Sequence, residues 1–90
     1  MLLISYDISD NKLRSRFAKL LERYGERVQY SVFEVRNSER LLNLLKTEIE
    51  GRYSKFFTGA DNIRIYQVNN NQTISYGNAL HREQNVLYLE

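Results

Sequence analysis

The apolar run Met1-Leu2-Leu3-Ile4-Ser5-Tyr6 ends in a single carboxylate, Asp7. An acid where a buried strand emerges into solvent is placed to hold a hard cation or a polar ligand. It can equally serve locally, as a cap or as an ion-pair partner for a nearby arginine. A second pattern follows at once. Lys12, Arg16, Lys19 and Arg23 recur at i, i+4, i+7 and i+11, which puts them in one stripe on a helix. Such a stripe is either a solvated face or a phosphate-binding one. Residues 12–27 hold six basic side chains (Lys12, Arg14, Arg16, Lys19, Arg23, Arg27) against two acidic ones (Glu22, Glu26), so the net charge of +2 understates the local field.

Other chemistries find no support. The four glycines, at 25, 51, 59 and 77, are scattered and build no phosphate-cradling loop. Without cysteine there is neither a disulfide framework nor a thiolate metal site. The one histidine, His81, lies in a polar segment and reads as solvated, so a Ser-His-Asp relay is not supported. Asp10 reads as a helix cap. A lone aspartate is a weak ligand for Mg²⁺, yet that ion takes one or two carboxylates and keeps several waters. A twofold dimer would bring two copies of Asp7 to one ion.

The elements that position these residues alternate. Residues 2–7 read as a central strand, apolar on both faces. Ser9 or Asp10 caps the next helix. Leu13, Phe17, Leu20, Leu21 and Tyr24 form its apolar stripe, and Gly25 is expected as a left-handed stop. Residues 27–36 are rich in β-branched and aromatic types. Their parity switches between Val28, Tyr30, Val32 and Phe33, Val35, which predicts a bulge or a tight junction between two short strands. Ser38 caps a helix over 39–50, with Leu41, Leu42, Leu45 and Ile49 inward and Gly51 as its stop. Residues 52–61 form a linker in which Tyr53, Phe56 and Phe57 are read as anchors. Strands are expected at 62–68 and 73–76 about the polar turn 69–72, and a last apolar piece at 86–89.

The order strand, helix, strand, strand, helix, strand predicts an α+β fold, the ferredoxin-like βαββαβ sandwich. One sheet face is then covered by both helices and the other left available. Ninety residues make a single domain, 1–90, with a modest core that dimerisation would supplement. Residues 73–90 are surplus to the sandwich and are expected to extend the sheet or pair with a partner subunit. The apolar fraction of 42% and charged fraction of 27% are those of an ordinary globular chain. No stretch is long and apolar enough to span a membrane and no signal peptide is visible, so the expected compartment is the cytoplasm.

Tyr6-Asp7-Ile8-Ser9-Asp10, the arginines seven and nine residues after the aspartate (Arg14, Arg16), and above all Tyr24-Gly25-Glu26-Arg27-Val28-Gln29-Tyr30-Ser31-Val32-Phe33-Glu34 together resemble the CRISPR-associated protein two family. That family is the small non-integrase subunit of the spacer-acquisition machinery. The likeness is specific over residues 1–50 and looser beyond, where Asn62–Val68 fits the next core strand.

The resemblance implies a homodimer whose C-terminal strand adds to the partner's sheet, bound to the CRISPR integrase and holding foreign DNA. It also implies a metal-dependent endonuclease activity on RNA or DNA in some members. Asp7 from each subunit would hold Mg²⁺ (or Mn²⁺) at the interface. Tyr6 would join Asp7 as a catalytic residue, and Ser31 and Phe33 would support the site. Carried over by position, Arg14, Arg16 and Arg27 would bind nucleic acid, beside Lys12 and Lys19 of the basic stripe. Two classes compete within this reading: a phosphodiesterase, and a non-catalytic scaffold that contacts backbone phosphates. A toxin-type ribonuclease of similar fold is the alternative outside the family.

Overall fold

The computed structural model describes residues 1–77. His81 and the apolar piece at 86–89 lie outside the described residues. The elements run β1 (Leu2–Asp7), α1 (Asn11–Glu22), β2 (Gly25–Gln29), β3 (Val32–Val35), α2 (Glu39–Arg52) and β4 (Asn62–Gln67). The strands form one sheet in the order β2-β3-β1-β4, and every neighbouring pair is antiparallel. β1 is central, as its apolar run predicts. It pairs Leu2 with Val35 of β3 on one side and with Gln67 of β4 on the other.

Alternation along β1 decides what each face sees. Leu2, Ile4 and Tyr6 are buried, whereas Leu3 and Ser5 are half-buried and Asp7 is exposed. The buried set joins Phe33 and Val35 of β3, Leu13, Phe17, Leu20 and Leu21 of α1, and Leu45 of α2 in one core. Both helices therefore pack on one sheet face. No helix among the described residues is long and apolar enough to cross a membrane.

The caps fall where the side-chain chemistry places them. Asp10 Oδ2 accepts from the Leu13 amide at 2.8 Å, and Ser38 Oγ accepts from the Leu41 amide at 3.2 Å. The parity switch at 28–33 resolves into both expected devices. The β2–β3 register shifts between Arg27 and Gln29, and only Tyr30 and Ser31 join the strands. Two-residue hairpins usually need positive φ, yet among the described residues only Gly77 has it. The bulge takes up the twist instead, and Arg27 Nη1 holds the turn by donating to the Tyr30 carbonyl at 2.7 Å.

Three expectations are corrected. Gly25 is not a left-handed stop. α1 closes with a tightened turn, the Arg23 and Tyr24 amides donating to the Leu20 and Leu21 carbonyls, and Gly25 opens β2. Glycine is required there for space: a Cβ would lie 2.0 Å from the Glu34 carbonyl oxygen. Gly51 does not end α2 either. The helix runs on to Arg52, which delivers Tyr53 into the core, 2% exposed and edge-on to Phe17 at 5.1 Å between centroids. Residues 73–76 form no strand. Asn70–Gln72 make a 3-10 turn, and Ile74 (79%) and Tyr76 (93%) stand in solvent, paired with none of the described strands. Of the three linker aromatics Tyr53 and Phe57 anchor to the core, and Phe56 is exposed.

The two glycines give substitutions of opposite sign. Gly25→Ala should destabilise the fold by about 3 kcal/mol, since backbone rather than a flexible side chain must move. Gly51→Ala meets nothing within 4 Å inside a helix and should stabilise it by about 0.5 kcal/mol. Urea denaturation midpoints at constant m check both.

Candidate functional site

Asp7 ends β1 on the face not covered by the helices, opposite Asn62 of β4. Its carboxylate is in no ion pair or hydrogen bond with another described residue. The ion pair with a nearby arginine is not formed, and Arg14 does not reach it. Arg14 turns back on the chain that follows Asp7: its Nη1 donates to the Ile8 carbonyl at 2.9 Å and to the Ser9 carbonyl at 3.4 Å, and its Nη2 donates to Asn11 Oδ1. Two main-chain carbonyls and one side-chain oxygen, all between Ile8 and Asn11, make Arg14 a brace for the β1–α1 connection.

Tyr6 lies on the other face of the same strand, 4% exposed. Its ring stacks on Phe33 at 6.2 Å and meets Phe17 edge-on at 5.1 Å. Tyr6, Arg14, Ser15, Ala18, Arg27 and Tyr30 line a cleft of about 220 Å³. Burial pushes the Tyr6 phenol above its ordinary pKa, against the opposing pull of Arg27. The hydroxyl is therefore a donor at neutral pH and not a base. Arg27 lies over the Phe33 ring at 5.0 Å and approaches Glu22 at 3.7 Å, besides its bond to Tyr30. Ser31 accepts from the Tyr6 amide through its carbonyl at 3.1 Å.

The structure thus gathers Tyr6, Arg14, Arg27, Ser31 and Phe33 into one bracket that holds the end of β1 and the β2–β3 turn, and it leaves Asp7 on the far side of the strand. Lys12, Arg16 and Lys19 stand apart from that bracket. They are exposed on α1 and, with Asn11 and Ser15, line an open groove of about 430 Å³.

Among the described residues no three His, Cys, Asp or Glu side chains come together as a metal cage. For a divalent ion one chain offers Asp7, and Mg²⁺ takes one or two carboxylates and fills the rest of its shell with water.

Asp61 was not foreseen from the sequence. Its Oδ1 accepts from the Ser9 amide at 2.9 Å and the Ser9 hydroxyl at 2.8 Å, while its Oδ2 accepts from the Thr58 amide at 3.0 Å. This clasp ties the turn after Asp7 to the segment entering β4. Its partners Ser9 and Asp61 are 52 residues apart, a separation that no local pattern encodes.

The Thr58 and Ser9 amides, followed by the Ser9 hydroxyl, draw the Asp61 carboxyl down from 3.8 to about 2. The folded value lies below the unfolded one. The clasp therefore contributes fully above 3.8 and is lost as pH falls toward 2. Asp61→Asn should flatten the acid limb of a stability-versus-pH curve over that window, read from urea midpoints. An unchanged limb would show that the clasp does not couple to folding.

Comparison with known proteins places this geometry. Residues 1–74 match the family described as CRISPR associated protein Cas2. A Synechocystis relative, named a CRISPR-associated endoribonuclease Cas2, is 44% identical over 64 residues, covering 70% of this chain and 65% of the relative. A Mycobacterium tuberculosis relative of the same name is 41% identical over 66 residues, covering 73% of this chain and 55% of its own length. The chain thus matches between half and two thirds of those relatives. The crystal structure of Streptococcus pyogenes Cas2 at pH 6.5 superposes with a TM-score of 0.68 at 27% identity, covering 84% of this chain and 98% of that one. The matched family region takes in β1 with its terminal Asp7, the basic face of α1 and the whole four-stranded sheet, and the chain belongs to the CRISPR associated protein Cas2 family.

Proposed function

We propose that this chain is a nucleic-acid-binding subunit of CRISPR adaptation. In this reading it acts as a ferredoxin-like homodimer beside the CRISPR integrase and carries a Mg²⁺- or Mn²⁺-dependent phosphodiesterase centre built on Asp7. The observation that carries the reading is the position of Asp7: an exposed carboxylate with no partner among the described residues, at the end of the central strand, on the uncovered sheet face. The endonuclease names of its relatives favour the same chemistry. The β2-β3-β1-β4 order supports the ferredoxin-like description.

In this mechanism Asp7 of each subunit contributes one carboxylate to a shared site. A bound divalent ion would supply charge to the scissile phosphate and lower the pKa of an attacking water. The chain's own residues fix the geometry. Arg14 and Asp61 hold the turn after Asp7 from two sides, so the carboxylate emerges from a fixed backbone. Lys12, Arg16 and Lys19 carry the substrate backbone on α1. Tyr6, kept protonated by burial, shapes the strand end from within the core. The scaffold reading keeps the binding part of this account and drops turnover; the lack of a three-ligand cluster among the described residues favours it.

Asp7→Asn separates the two. The amide is a poor ligand for a hard cation, so cleavage of single-stranded RNA and duplex DNA with Mg²⁺ or Mn²⁺ should fall at least about 100-fold, while the fold and DNA affinity persist. Cleavage that continues unchanged in the variant removes Asp7 from the mechanism. Binding is tested by salt. Arg16→Ala should flatten the log–log dependence of duplex affinity on salt by about 0.9 for each chain engaged. An identical slope would mean that the stripe is only a solvated helix face.

A further inference from the structure

A cleft of about 420 Å³ opens between the end of α1 and the start of α2. Its place follows from the register. Asp7 lies at the sheet end marked by Asn62, whereas Val35 pairs with Leu2 and with Gly25 at the other end. Arg36 follows Val35 and Tyr24 precedes Gly25, so this cleft belongs to the end remote from Asp7. Arg23, Arg36 and Arg40 surround it, over a floor of Tyr24, Leu41 and Leu44.

None of these three guanidinium groups is ion-paired or hydrogen-bonded to another described residue; the ion pairs seen between described residues use Arg27 and Arg52. Like charges around one cleft repel. Arg40 is also a cation in the first turn of α2, where the helix dipole favours an anion and where Glu39 has the suitable sign. Neither placement helps the fold. Both create a field that a polyanion would neutralise.

Arg23 belongs to this cleft and also closes the stripe Lys12-Arg16-Lys19-Arg23. That stripe spans about 16 Å of helix, the axial length of about five phosphates of one duplex strand. We infer that a nucleic-acid backbone lying on α1 continues into this cleft, where Arg36 and Arg40 each hold a phosphate, so that the contact surface extends to the sheet end remote from Asp7. The unbroken run of positive charge through Arg23 favours a nucleic acid over an acidic peptide. The inference rests on the nucleic-acid reading of α1 proposed above.

The test measures the binding of a fluorescent mixed-sequence duplex to the full chain by anisotropy across a salt series. Wild type, Arg16→Ala, Arg36→Ala/Arg40→Ala and Arg36→Lys/Arg40→Lys are compared. The double alanine variant should flatten the log–log slope by about 1.8 for each chain engaged, two contacts at about 0.9 each. The double lysine variant keeps the charge and should keep the slope. All three arginines are exposed, so the melting temperatures should match wild type. A flattened slope for Arg16→Ala with an unchanged one for Arg36→Ala/Arg40→Ala ends the track at Arg23 and overturns this inference alone. Unchanged slopes for both, or no salt-dependent binding by wild type, overturn the nucleic-acid reading and this inference with it. Loss of binding to a polyglutamate peptide in the double alanine variant, with the DNA slope intact, assigns the cleft to an acidic protein partner and likewise overturns it.

Discussion

β1 is hydrogen-bonded along both edges, to β3 and to β4, and its side chains must alternate between two environments that differ completely. One parity, Leu2, Ile4 and Tyr6, is sealed under the helices; the other, Leu3, Ser5 and Asp7, faces outward. A slip of one residue would bury Asp7 and expose the core set, so the register is fixed by the cost of that exchange. The position of the candidate centre, the bracket behind it and the separation of Tyr6 from Asp7 all follow from this strand. Adjacent residues in sequence become groups on opposite sides of a sheet.

The bracket shows why arginines near a candidate centre need not touch its ligand. Arg14 and Arg27 both end on main-chain carbonyls. Such carbonyls are otherwise left to water where strands meet turns, and a charge-assisted bond to them stiffens the connection. Arg16, Lys12 and Lys19 make no such bonds to the described chain and are exposed. Two populations of cations thus coexist on one helix. One shapes the protein and the other is available to a ligand.

Much of this was legible in the sequence wherever a periodicity is local. The apolar run of β1, the stripe Leu13-Phe17-Leu20-Leu21, the caps Asp10 and Ser38 and the parity switch at Val32–Phe33 each found its structural counterpart. The failures have a common cause in tertiary context. A glycine after an apolar stripe suggests a helix stop, but α2 ends where Tyr53 reaches Phe17, and Gly25 answers to the Glu34 carbonyl across the hairpin. Thr73-Ile74-Ser75-Tyr76 has strand composition, yet a strand needs a neighbour and the segment pairs with none of the described strands. The Asp61 clasp and the Arg23, Arg36 and Arg40 cleft join residues from separate elements, which no window along the chain brings together. Asp7 was singled out correctly as a strand-end acid, while its relation to Tyr6 and Arg14 required the pleat to be seen.

The central place of β1 has a kinetic side. The β2–β3 hairpin closes through a two-residue turn and can form locally, whereas β1 meets β4 only when Asp7 finds Asn62 across most of the chain. During synthesis β1 is made long before β4, so one of its edges stays open until late. That edge carries Leu2, Leu3 and Ile4, a short apolar template able to pair with another nascent chain. The order of strands in the finished sheet thus makes chain elongation the interval of greatest exposure to misassembly, and it makes the arrival of β4 the step that ends it.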